Sequence, residues 1–235
     1  MSHQSLGFPI VGEGVDWLVL NKPTGVSVHN DAQDVCHLLR AQLKKGSFED
    51  IFPVHRLDKE TSGLLLVALT ATRSRELAVQ FQERTCEKYY QAIVRGSLPE
   101  TSNFGTWSFP ISDKAEGRKN PQGLAKDRQE ARTEFKVLKT SPYFSWLELH
   151  LLTGRQHQIR KHSAIARHAI VGDPRYGDPK YNERMAKIYQ TSRMFLHASR
   201  LQIAIAGKNY NFTTEPPVEY NQLFPEDLAA SKKLE

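Results

Sequence analysis

The chain has 235 residues, 39% apolar and 25% charged, which excludes a disordered tail or a fibrous repeat and allows a core that buries about 70% of the unfolded surface. Its two cysteines, Cys36 and Cys86, are too few for a disulfide scaffold, and its longest informative apolar run, Leu64–Leu69, is far short of the roughly 20 residues that span a bilayer. The net charge is +6, yet between Arg155 and Arg200 ten cations stand against three acids, a local +7 that would suit a phosphate backbone or, equally, a solvated basic face.

In chain order, Asp16–Leu20 reads as a short strand ending in the turn Asn21-Lys22-Pro23-Thr24-Gly25, and residues 35–42 as a short helix. Leu64–Leu69 has the continuity of a strand buried on both faces. Thr70 is placed to cap the helix that follows through Arg84. Residues 88–95 alternate as a strand, with Tyr90, Ala92 and Val94 on one face. The polar stretch 112–132 is expected to be an inserted loop or hairpin. Phe144–Leu152 alternates again, and Thr153-Gly154 leads into a helix expected over 155–167, with Gln156, Arg160, Ser163 and Arg167 forming one polar stripe. Two late strands, 196–205 and 210–213, flank a turn at Gly207-Lys208-Asn209. This pattern predicts a single α+β domain over 1–235 with a largely antiparallel sheet, and a flexible tail over 226–235.

Several chemistries lack their residues. No Gly-x4-Gly-Lys-Ser/Thr loop is present, and Gly12-x-Gly14 lacks the third glycine of a dinucleotide site. His157, His162 and His168 are spaced by five and six, off the helical geometry that joins two metal ligands. No metal and no nucleotide cofactor is therefore expected. The densest polar cluster, His55-Arg56-Leu57-Asp58-Lys59-Glu60-Thr61-Ser62-Gly63, stands at the mouth of the most apolar strand, where it reads either as a catalytic loop or as a self-neutralising surface loop.

His55–Leu65 resembles the H-R-L-D-x-x-T-S-G-L-L motif of the RluA-type RNA pseudouridine synthases along its whole length. Lys88-x-Tyr90-x-Ala92 and Thr153-Gly154-Arg155-Gln156-His157-Gln158-Ile159-Arg160-Lys161-His162 follow in the family's order. The opening Asn21-Lys22-Pro23-x-Gly25, Gly172-Asp173 with Tyr176-Gly177, and Leu196-His197-Ala198 fit as well, so the similarity runs over about residues 16–205. The sequence departs from the family at Ser163, Arg167 and Ala169, and Arg167 there would add a phosphate contact. Many relatives carry an N-terminal S4 domain; with the Asn-Lys-Pro turn at position 21, none is expected here.

The resemblance implies a mixed sheet flanked by a few helices, a cleft across it, and conversion of uridine in tRNA or ribosomal RNA to pseudouridine without a cofactor; a monomer is expected, and the two cysteines suit a reducing compartment, the cytoplasm. It assigns the essential carboxylate to Asp58, a side-chain type whose unperturbed pKa of about 3.9 suits either attack on the sugar or removal of a sugar proton at neutral pH. It gives Arg160 the task of holding Asp58, the alternative being a phosphate contact. Tyr90 would stack on the target uracil; without the family match it reads as a core tyrosine. Arg56 would brace the space left by the flipped base, and His55, Lys88, Arg155 and Arg167 complete the expected RNA contacts. A non-catalytic RNA-binding or chaperone module is the competing reading, which intact Asp58, Tyr90 and Arg160 disfavour.

Overall fold

The structure, a computed structural model, describes residues 7–29, 31–43, 48–99 and 104–224; the expected tail 226–235 lies outside them. The elements in chain order are β1 (Ile10–Glu13), β2 (Trp17–Lys22), α1 (Val35–Gln42), β3 (Phe52–Pro53), β4 (Ser62–Ala68), α2 (Ala71–Glu83), β5 (Glu87–Arg95), β6 (Phe104–Trp107), β7 (Ile111–Ser112), a 3-10 turn (Ala125–Asp127), β8 (Arg128–Gln129), β9 (Thr133–Thr140), β10 (Phe144–Leu151), α3 (Gln158–Ile165), α4 (Pro179–Tyr189), β11 (Leu196–Ile205), β12 (Lys208–Thr213) and α5 (Glu219–Gln222). They form two compact units. One comprises the chain up to Tyr89 together with His197–Thr214, and the other Tyr90–Leu196 together with the residues from Glu215 on.

In the first unit β4 is the axis, and all seven of its residues are buried, as the unbroken apolar run predicts. β2 lies antiparallel along one edge of β4 with β1 outside it, and β11 and β3 share the other edge. The β4/β11 pair is parallel, with His197 opposite Ser62 and Ala198 opposite Gly63, whereas β12 returns antiparallel on β11. One face of this sheet buries Trp17, Val19, Leu64, Leu66, Ala68, Leu201, Ile203, Ile205 and Phe212 together with Leu77 of α2. α2 starts where Thr70 accepts the Arg73 N–H at 3.2 Å, and it stops at Arg84, which turns left-handed with φ 58°. α1 is capped in the same way, by Asp34 accepting the His37 N–H at 2.9 Å.

The second unit orders β5, β10, β9 and β6 in a sheet, with β9 antiparallel to both β10 and β6, and pairs β7 with β8 as a separate hairpin. Aromatic rings fill its core: Trp107 lies 4.7 Å from Phe135, and Tyr220 lies 5.5 Å from Trp146 and 5.2 Å from Phe195. The α+β, largely antiparallel organisation is thus observed.

Three local expectations are corrected. The helix expected over 155–167 is confined to Gln158–Ile165, because His157 (φ 54°) and Arg167 (φ 66°) are both left-handed and interrupt it. Its polar stripe is split: Arg160 and Ser163 are buried, Gln156 is half-buried, and Arg167 lies exposed beyond the helix. The late turn falls at Ala206-Gly207, both at positive φ, and β12 resumes at Lys208.

Gly63 sits in β4 with φ +111°, and a Cβ there would approach the Ala198 carbonyl oxygen at 2.2 Å and its nitrogen at 2.6 Å. Backbone cannot yield as a side chain can. Gly63→Ala is expected to cost about 2–4 kcal/mol from the backbone strain and the overlap together, a fall of roughly 5–15 °C in Tm for a chain of this size. A melting curve unchanged by the substitution would remove this close approach as a constraint.

Candidate active site

In the first unit the loop that carries Asp58 is held from three sides. At its start, the Leu66 N–H donates to His55 Nε2 at 3.0 Å, and the imidazole stacks on Phe81 of α2 with centroids 4.7 Å apart and planes 17° apart. Burial, with the Lys88 charge adding to it, brings this imidazole down to about 3, so it is the neutral acceptor that the Leu66 bond needs. His55 therefore anchors the loop to β4. At its end, the Thr61 N–H donates to the Asp58 carbonyl at 3.0 Å.

The third side is the turn Asn21–Gly25. Lys22 is fully buried, and its Nζ donates to the carbonyls of Pro23 and Val26 at 2.8 Å each and of Lys59 at 3.4 Å. Thr24 Oγ1 donates to the Glu60 carbonyl at 2.7 Å and the Gly25 N–H to the Lys59 carbonyl at 2.8 Å. Burial pushes the Lys22 ammonium down to about 8, against the opposing pull of Asp58 and Glu60. The first motif of the resemblance is thus the clasp of the second. Arg56 is exposed, and half-buried Lys88 places Nζ 5.8 Å from the Phe81 ring centre.

In the second unit the block Thr153–His162 is knitted by its own side chains. Gln158 uses its whole amide: Oε1 accepts from Thr153 Oγ1 at 2.6 Å and from the Arg155 N–H at 3.1 Å, while Nε2 donates to the Arg132 carbonyl at 3.0 Å and to Thr133 Oγ1 at 2.9 Å. Arg160, 2% exposed, donates from Nε and Nη2 to the two oxygens of fully buried Asp173 at 2.8 and 2.9 Å. Its Cζ lies 5.4 Å from the Tyr176 ring, and the Tyr176 hydroxyl meets His157 Nδ1 at 2.9 Å. Asp173 also accepts the Arg175 and Tyr176 N–H groups at 2.8 and 3.0 Å. Beside it, Gly172 at φ +78° lets the Arg193 backbone pass close, since a Cβ there would meet the Arg193 carbonyl oxygen at 2.0 Å. The Nε–Nη2 edge of the Arg160 guanidinium thus rests on Asp173.

Tyr90 lies on β5 and is 8% exposed. Arg155 is half-buried, with Nε 3.4 Å from the Glu130 carbonyl, and Arg167 is exposed just beyond α3. The +7 segment is less available than its count implies: Arg160 and Lys161 are buried, and the Arg193 side chain, 8% exposed, faces Glu219 at 3.6 Å. A charge count carries no information on what packs over the cations it includes.

His162 sets a pH limit on stability. Its Nδ1 meets the Thr133 hydroxyl at 2.9 Å and its Nε2 donates to the Phe109 carbonyl at 3.0 Å, while burial lowers the ring to about 4. The unfolded chain takes up this proton near 6.5 and the native chain only near 4, so stability present above pH 6.5 is lost as pH falls through that window, by about 1.4 kcal/mol per unit. His162→Gln should remove about half of the pH dependence of Tm that the two lowered imidazoles give between 4 and 6.5, since His55, brought down to about 3, keeps the same slope across that window. An equally steep variant would assign the loss to other groups.

The chain belongs to the RNA pseudouridylate synthase family, whose model matches residues 16–164. The family isomerises uridine in RNA without net hydrolysis or redox change. Among its relatives is a ribosomal large subunit pseudouridine synthase C of Vibrio vulnificus, 34% identical over 93% of this chain and 66% of that protein. A tRNA pseudouridine synthase C of Vibrio parahaemolyticus is 33% identical over 92% of this chain and 93% of its own. A solved structure, human RNA pseudouridylate synthase domain containing 1, superposes with a TM-score of 0.75 at 27% identity, covering 92% of this chain and 86% of the other. Among the described residues no group of three or more His, Cys, Asp or Glu is placed to hold a metal ion, and no helix is long and apolar enough to cross a membrane.

Proposed function

We propose that the chain converts uridine in a structured tRNA or ribosomal RNA to pseudouridine, with Asp58 as the essential carboxylate. The bond from uracil N1 to C1′ of the ribose breaks, the uracil turns in place, C5 bonds to C1′, and the C5 proton leaves as N1 gains one. Asp58 attacks the sugar or removes a sugar proton; either route uses an ionised carboxylate on a fixed backbone. The observation that carries this reading is the clasp on the Asp58 loop, in which Lys22, Thr24 and Gly25 all bond the backbone of Lys59 and Glu60. A surface loop neutralised by its own charges has no use for a buried lysine directed at its carbonyls.

Arg160 takes the role of holding Asp58 ionised and oriented, with Asp173 and Tyr176 fixing the guanidinium. Tyr90 supplies the stacking face for a uridine turned out of its helix, a step that costs a few kcal/mol. Arg56, Lys88, Arg155 and Arg167 contact phosphates. His55 belongs to this group only through the loop it anchors. Tritium release from bulk tRNA and from ribosomal RNA fragments labelled at uracil C5 tests the reading and separates the two substrates. Release from neither, with the protein folded, would overturn it.

A further inference from the structure

Within the second unit the β7–β8 hairpin and helix α4 form one basic face. Arg118 of the hairpin pairs with Asp178, the residue whose carboxylate caps α4 by accepting the Tyr181 N–H at 3.0 Å. Arg175 Nη1 donates to the Ala115 carbonyl at 3.1 Å. The hairpin base is pinned by fully buried Lys161, whose Nζ donates to the carbonyls of Ser112 and Lys114 at 2.7 Å each.

The acids of this face are already committed. Asp178 is taken by Arg118, Glu183 by Lys187 at 2.8 Å and Asp127 by Lys114 at 2.8 Å, while Asp113 accepts the Gln156 N–H and Glu116 the Ser112 hydroxyl. Lys119, Lys126, Arg175, Lys180 and Arg184 are exposed, and none has a carboxylate partner among the described residues. Lys180 and Arg184 are four apart and share the outer side of α4, whose inner side, Asn182, Met185, Ala186 and Tyr189, lines a cavity. A surface that spends its acids internally and presents its cations outward is matched to a polyanion.

We infer that this hairpin–α4 face is a second RNA-contacting surface, which takes the phosphate backbone of a helical part of the substrate away from the target uridine. The inference rests on the RNA-acting reading above. Exposed lysines and arginines without neighbouring bases to read bind phosphates and carry no sequence information, so the face adds affinity and orientation, not choice of uridine.

The test is binding of bulk tRNA by a triple variant, Lys119→Gln with Lys180→Gln and Arg184→Gln, between about 50 and 200 mM salt. At about 0.9 per phosphate contact on duplex, the slope of log K against log salt should flatten by roughly 2 to 3, with a loss of affinity of about 10- to 100-fold at 100 mM. Unchanged slope and affinity would overturn the inference. So would an equal loss in a control of the same charge change, Arg75→Gln with Arg84→Gln and Lys208→Gln, which would make the effect one of net charge alone. Tritium release by the wild type separates the two failures, since an active enzyme with an indifferent triple variant sinks the surface and leaves the proposed reaction standing.

Discussion

Asp58→Asn is expected to bring tritium release from C5-labelled RNA down by about 10²–10⁴-fold or more, the range for losing a catalytic proton-transfer group or nucleophile. Melting and RNA affinity should stay close to wild type. The amide has nearly the shape of the carboxylate, and the bonds that hold the loop run to backbone: Thr61 N–H to the Asp58 carbonyl, Lys22 and Gly25 to Lys59, Thr24 to Glu60. The charge, however, is gone, and with it one of the two carboxylates that favour the Lys22 ammonium. Lys22 should then titrate below about 8 in the variant, a change readable from its side-chain resonances. Substantial residual release would take Asp58 out of the chemistry.

The second large effect belongs to Asp173. Asp173→Ala removes the acceptors of Nε and Nη2 on a guanidinium that is 2% exposed, together with those of the Arg175 and Tyr176 N–H groups. Truncating one partner of a buried ion pair costs about 3–5 kcal/mol, or roughly 6–20 °C in Tm. Asp173→Asn keeps an oxygen for the two backbone donors and should lose less stability than the alanine variant. If Arg160 acts on Asp58, turnover at saturating RNA should fall in Asp173→Asn more than RNA affinity does. An alanine variant that melts like wild type would show that the guanidinium is held by other means.

The sequence revealed what depends on periodicity and caps. The buried run of β4, the Thr70 cap and the helix at residues 35–42 all rest on patterns of a few residues, and each was legible within one or two positions. Contacts between distant segments were not. Asp173 was visible only as part of a motif, since nothing in thirteen residues of spacing says that its carboxylate meets Arg160. Lys22 was likewise visible as a turn residue, and its bond to Lys59 spans 37 positions. α4 did carry a local mark, Asp178 before Pro179, an N-cap followed by proline at the first helical position, which the reading of that basic segment passed over. β9 escaped because its alternation, Thr133–Thr140, mixes lysines with half-buried positions.

The Lys161 anchor limits how this hairpin can be shortened. Its tip, from Gly117 to Gly123, includes exposed polar residues, and trimming part of it need not disturb the base. The base is different. Ser112 and Lys114 supply the carbonyl oxygens that receive a fully buried ammonium from the middle of α3, one residue after Arg160. Cutting the loop back to β7 would keep the Ser112 carbonyl but remove that of Lys114, leaving the buried charge short of an acceptor, so the damage would arrive at the helix bearing Arg160 and not at the loop itself. A shortened enzyme would regain that ground if Lys161 were exchanged for methionine in the same step, an apolar chain of similar length that asks for no acceptor.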